Sequence, residues 1–193
     1  QQALYTQWLR DGEDTLASAV TKPSLRTLEF VAAPLSAAGG ALLRDLGGRL
    51  VVITPEQYDT LPNEAGQYYR GYTDTTALVE LTVGEDTTLD AVIVDRVISG
   101  TLARSTTNPT ITAIYAVTDL LAVRQQIVDA DGDPRHHGVA LATPDLSLPA
   151  VDTFTAITTL IAATPGLRPT TFDDLGVRAE VGELNGQPVE VQL

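Results

Sequence analysis

The sequence contains no cysteine and no methionine, a single lysine (Lys22) against eleven arginines, and two histidines that stand side by side. Each shortage excludes something. Without Cys there are no disulfides, no thiolate metal sites and no cysteine nucleophile. The compartment stays open, because a secreted chain large enough to bury a core does without bridges. Without Met, and with Gln1-Gln2 at its start, the chain is expected to be a piece cut or processed from a longer protein. No apolar run approaches the ~20 residues of a membrane span, and no charged-then-apolar signal segment occurs, so any such segment is expected outside this piece.

Positive charge is scarce as well. Twelve Lys and Arg face 25 Asp and Glu, a formal charge of −13. Such a balance repels nucleic-acid phosphates and anionic lipid, so neither nucleic acid nor a membrane surface is an expected partner. It favours solubility. Abundant Ala, Val, Thr, Arg and Asp with almost no Lys fits a GC-rich genome, and an acidic, Lys-poor surface also fits a halophile.

What is present is a core. Hydrophobic residues make up 44 % of 193 positions, enough for one domain of ordinary size, with or without an appendage. Residues 1–20 read as a helix carrying Leu4, Trp8, Leu16 and Val20, weakened by Asp11-Gly12. Thr27–Ala33 reads as a strand stopped by Pro34, Ser36 caps a helix through Leu46 ended by Gly47-Gly48, and Arg49–Thr54 is a second strand. That second run is apolar nearly throughout, as expected of a strand covered on both faces. Together they match a βαβ unit.

From Pro55 to Thr76 the pattern is irregular and includes Tyr58, Tyr68, Tyr69 and Tyr72. Segments of this length inside a compact domain are often functional. Ala77–Val83 and Leu89–Val94 read as strands around Gly84-Glu85-Asp86, followed by a short helix over Arg96–Ala103. Asn108-Pro109 opens a helix to about Val128, with Ile114, Val117, Leu121 and Val128 on its expected inner face and Leu120, Val123 and Ile127 beside them. Gly138–Thr143 reads as a buried strand. Ser147 and Pro149 start a helix with Val151, Phe154, Ile157 and Ile161 on one face, ended by Pro165-Gly166. Past Leu175 come short strands around Asn185-Gly186, a hairpin signal. The expected organisation is a helical segment over 1–26, an α/β domain over 27–176, and a β-hairpin tail or the start of a following β domain over 177–193.

Few residues point to chemistry. Asp95 lies at the C-terminal end of a predicted strand, the edge where open α/β sheets and barrels place their sites, and is a candidate binding residue. A carboxylate there also caps a helix over Arg96–Ala103. Tyr69 and Tyr72 offer stacking faces for sugar rings, with Gln67, Arg70 and Asp74 for hydrogen bonds; packing of loop against body is their other use. Glu29 sits in an apolar strand, which edge-strand exposure explains. Asp129-Ala130-Asp131-Gly132-Asp133 resembles a calcium loop but puts Pro134 at position six and Ala140 at twelve, so it reads as a polar turn. Both His lie in one turn, no G-x-S-x-G elbow occurs, and neither Gly39-Gly40 nor Gly47-Gly48 fits a nucleotide fingerprint. No catalytic residue, metal ligand or cofactor is expected.

One stretch carries a resemblance. Ala142-Thr143-Pro144, Thr164-Pro165-Gly166-Leu167-Arg168-Pro169 and Asp174-Leu175, with Val92-Ile93-Val94-Asp95 before Ile98-Ser99 and Tyr72-Thr73-Asp74-Thr75 upstream, resemble a large family of actinobacterial envelope proteins of unknown function. Members carry Trp where this chain has Gly166. The resemblance implies a secreted or membrane-anchored parent, often encoded beside the peptidoglycan-precursor flippase. It also implies a degenerate (β/α) barrel-like domain similar to polysaccharide deacetylases, followed by immunoglobulin-like domains. A working deacetylase needs a carboxylate and two histidines a helical turn apart on a metal, whereas His136 and His137 are adjacent and point to opposite sides of an extended strand.

The expectation is therefore an α/β fold with a mainly parallel sheet, part of a barrel-like domain, with a short β tail. Its expected role is a non-catalytic extracytoplasmic envelope module binding a partner protein or cell-wall glycan. The alternative is a deacetylase- or glycosidase-like enzyme on envelope glycan, which requires two carboxylates or a His-rich metal site at the strand ends. An intracellular halophile protein is a third reading.

Overall fold

The computed structural model describes residues 2–21, 27–63, 66–67, 75–85, 87–104, 108–184 and 186–193. Helix α1 (Gln2–Val20) comes first, passing through Gly12 without a break, and is followed by strand β1 (Leu28–Val31). Ser36 accepts from the Gly39 N–H and opens α2 (Ala37–Asp45), and Gly47, at φ +106°, ends it in the left-handed conformation that suits glycine. Strand β2 (Leu50–Ile53) then lies parallel to β1, in register from Leu28↔Leu50 to Val31↔Ile53. The βαβ expectation holds.

The centre of the molecule is an open sheet in the order β1-β2-β4-β3-β7. Strands β3 (Val79–Gly84) and β4 (Thr87–Ile93) form the expected antiparallel pair, and β4 is inserted beside β2 in parallel. The tail contains the expected hairpin, β5 (Glu183–Leu184) with β6 (Gln187–Pro188), and Gly186 takes φ +76° in its turn. The chain then returns: β7 (Glu190–Gln192) pairs in parallel with β3 and buries Val189 and Val191. The sheet is mixed but mainly parallel, with helices on both faces. Among the described residues it is open, with β1 and β7 as edges.

Alternation along the strands sorts the core into layers. Val51, Ile53, Leu81, Ala91, Ile93 and Val191 face one way, towards Leu35, Ala41 and Leu43 of α2 and its approach, and towards Tyr58 of the short helix α3 (Pro55–Tyr58). Leu50, Val52, Val92 and Val94 face the other way, against Ala140, Ala142 and Leu175 of α7 (Phe172–Arg178). A third cluster joins Ile98 and Leu102 of α4 (Arg96–Ala103), Ala113, Ala116, Val117 and Leu120 of α5 (Pro109–Asp129), and Ile157 and Ile161 of α6 (Val151–Ala163).

Three sequence expectations are corrected. Gly138–Thr143 is not a strand of the sheet: it lies between the sheet and the helices, where both of its faces are covered. Its alternation still decides its packing, with Ala140 and Ala142 against the strands and Val139 and Leu141 against the helices. On α5 the buried face is Thr112, Ala113, Ala116, Val117 and Leu120, while Ile114, Leu121 and Val128 are exposed. Small residues win the inner positions because α4 and α6 approach closely, and Ala leaves room that Ile does not. On α6, Val151 and Phe154 are exposed and only Ile157 and Ile161 are buried. Its N-cap is Ala150, without a side-chain bond, because Ser147 is used in the preceding turn.

Gly166 has φ +84°, and a Cβ built there would lie 2.9 Å from Arg124 Nε. The guanidinium of α5 takes the space that a side chain would need. Two substitutions test the layering. Leu175→Ala should cost about 2–5 kcal/mol by opening a cavity over the sheet, and Ala116→Leu should cost about 1–3 kcal/mol by overpacking α5. Chemical denaturation with an unchanged m-value reads both, and neutrality at Ala116 would mean that α5 turns a different face inwards.

Candidate functional site

The carboxyl ends of β2 and β4 lie side by side, and each runs directly into a helix. After β2, Thr54 accepts from the Gln57 N–H while the Gln57 side chain returns a bond to the Thr54 backbone, a complete capping box on α3. The Gln57 amide also donates to the Ala33 carbonyl, which ties in the end of β1. After β4, Asp95 Oδ1 accepts from the Val97 and Ile98 N–H groups at 2.9 Å each and caps α4. Its other oxygen accepts from Thr75 Oγ1 at 2.9 Å. The cap predicted for Asp95 is therefore present, and both carboxylate oxygens are engaged.

Beside it, Arg96 reaches across to α3, donating to Glu56 at 3.2 Å and to Asp59 at 2.6 Å. All three side chains are exposed to solvent, so these pairs orient the two helix starts more than they stabilise the fold. The edge thus presents two ordered helix N-termini, one arginine and two carboxylates. Thr75 roots there the end of the segment that carries Tyr69 and Tyr72. Those two tyrosines, like Tyr68, Arg70 and Asp74, lie outside the described residues; Gln67 is exposed. Sequence patterns showed Asp95 but not Thr75 or the Arg96 bridge, because neither partner is within helical or turn spacing.

The adjacent histidines take different partners, although His136 ends a 3-10 turn (Pro134–His136) instead of lying on an extended strand. His136 Nδ1 meets the Glu180 carboxylate, and His137 Nδ1 lies 2.7 Å from Thr76 Oγ1. With the bonds from the Gly138 N–H to the Thr76 carbonyl and from the Leu78 N–H to the Glu180 carbonyl, they clamp three segments together at the start of β3. The Asp129–Asp133 turn is closed by Asp133, which accepts from Arg135; that guanidinium holds the carboxyl well below the usual range. At the next turn, hydroxyls of Thr143 and Ser147 donate to Asp145 and lower its carboxyl to about 2. Among the described residues, no three His, Cys, Asp or Glu side chains are grouped so as to hold a metal ion.

Carboxylates do gather away from the carboxyl edge, midway along β4. Asp90, Glu80 and Glu190 stand directly opposite one another on β4, β3 and β7. Burial, then Glu190, then Asp90 push the Glu80 carboxyl up, and burial pushes Asp90 up. Glu29 lies on the edge strand β1 but is half-buried rather than exposed, and its carboxyl is raised by burial and then by Glu13. A raised carboxyl favours the folded state only while protonated: its contribution is full below the ordinary value of 4.5 and is lost as pH rises through the raised one.

Glu80→Gln should therefore stabilise the protein at pH 7, with a gain that fades below about pH 4.5; thermal melts across that range would show it, and a gain independent of pH would mean that repulsion is not the cause. Asp95→Ala should cost about 1 kcal/mol through the lost cap, with Asp95→Asn recovering most of it. No family model, curated protein or solved structure matches the chain, so the carboxyl edge rests on its own geometry.

Proposed function

We propose that this chain is a non-catalytic extracytoplasmic module of a cell-envelope protein, binding a partner protein or cell-wall glycan at the carboxyl edge of β2 and β4. The observation that carries the reading is the Thr75–Asp95 bond. It fastens the chain that leaves the tyrosine-rich segment to the capped end of β4, beside the capped end of β2, in the parallel part of the sheet, where open α/β folds place their ligands. Tyr69 and Tyr72 then serve as contact faces, with Arg96, Glu56 and Asp59 as polar neighbours.

The open sheet fits a part of a (β/α) barrel-like domain, since β1, β2 and β4 run parallel and β1 has a free edge. In this reading the rest of a longer, secreted or membrane-anchored parent supplies further strands. Asp95 contributes by holding the edge in shape and not by proton transfer, because its oxygens already accept three bonds.

The test is capture of muropeptides and cross-linked envelope proteins from a GC-rich actinobacterium by the purified chain, compared with Tyr69→Ala/Tyr72→Ala. The double variant should bind about tenfold less or weaker, at an unchanged melting temperature. Equal capture by both proteins would remove the tyrosines from the site. Release of acetate or of shortened glycan chains during the incubation would replace the binding module by an enzyme.

A further inference from the structure

Two long apolar stripes in this chain are left open. On α1, Leu4, Tyr5, Trp8, Leu16 and Val20 are 47–58 % exposed. No described strand or helix makes an extensive contact with α1, although Glu13 on its other side lies near Glu29 of β1. On α5, Ile111, Ile114, Tyr115, Leu121 and Val128 are 38–58 % exposed, on the side away from α4 and α6. At 3.6 residues per turn each set falls within less than half of its helix circumference, so each is one continuous face. Scattered apolar residues on a surface need no explanation, but a stripe along a whole helix marks an interaction surface.

The two faces match. Leu4 to Val20 and Ile111 to Val128 both span roughly 25 Å at 1.5 Å per residue. Both carry their bulk towards the ends and small residues near the middle: Gly12 on α1, Thr118 and Ala122 on α5. A Cβ at Gly12 would meet nothing within 4 Å, which leaves room for close approach. The α5 stripe carries one charge, Asp129 at its C-terminal end; Asp119 turns inwards to accept from Thr101 and Arg124 covers Gly166.

We propose that α1 of one copy docks along the exposed face of α5 of a second copy, and that the exchange is reciprocal, making a two-fold dimer. Area argues for the reciprocal form. With on the order of 80 Å² open on each large side chain, one α1–α5 contact hides roughly 800 Å² and the pair roughly 1,600 Å², the standard size of a stable interface. The charge of −13 opposes association of like copies, and contact between sparsely charged stripes is the form it tolerates. Added salt therefore strengthens this dimer by screening the repulsion, the reverse of its effect on a partner of opposite charge.

Sedimentation of the purified chain from about 1 to 100 μM tests this, with emission of Trp8, the only tryptophan, as a second reading. A dimer tightened by salt is expected, with Trp8 emission shifting to the blue as concentration rises. Trp8→Glu and Leu121→Glu should each weaken association about 30-fold or more, with the monomer's far-UV circular dichroism unchanged. Mixing the two variants should restore part of it, because the mixed dimer keeps one intact α1–α5 contact. A monomer at every concentration overturns the proposal. So does a blue emission that is independent of concentration, which would place α1 on its own chain. Absence of rescue on mixing would mean that α1 pairs with α1, or α5 with α5.

Discussion

The parallel pairing of β2 with β4 is the constraint on which everything else rests. All four residues of β2 are buried, and Ala91, Val92 and Ile93 opposite them are buried too. A strand pair covered on both faces is apolar on both faces, so it forces one layer from α2 and α3 and another from residues 138–143 and α7. It also aligns two strand ends, and each releases its chain into a helix start. The capping box at Thr54 and the cap at Asp95 are consequences of that alignment. The candidate edge is thus a by-product of the buried β2–β4 pairing.

Much of this was legible in the residues because local rules govern it. Ser36 before a helix, Gly47 after it, Asn108-Pro109, Asn185-Gly186 and the apolar run LVVI act over a few positions and mean the same in any context. What failed was non-local. Gly138–Thr143 has the pattern of a buried strand, and nothing within those six residues shows that it is buried by lying over the sheet and under the helices. The inner face of α5 was misread because periodicity rewards large apolar residues, while close helix packing selected Ala113 and Ala116. The candidate site divides in the same way: Asp95 follows from its place after a strand, but Thr75 and Arg96 acquire their partners only in three dimensions.

Charge is distributed with the same economy. Arg96, Arg135 and Arg44 each sit beside a carboxylate, and Arg124 is spent on filling the space beside Gly166. With a net charge of −13, the long-range field of the chain repels an anionic polymer.

The last strand has a consequence for the order of events in folding. Glu190 pairs with Glu80, 110 positions earlier, whereas β3 and β4 are joined by a turn. The hairpin closes over a short loop and the β3–β7 contact over a very long one, so the second carries most of the loop-closure cost and forms late. Until residue 192 has left the ribosome, the far side of β3 is an unpaired strand edge. Glu80 lies on that edge, and a charge there deters pairing with a neighbouring nascent chain. The repulsion it later exerts on Glu190 is the cost of guarding the edge during synthesis.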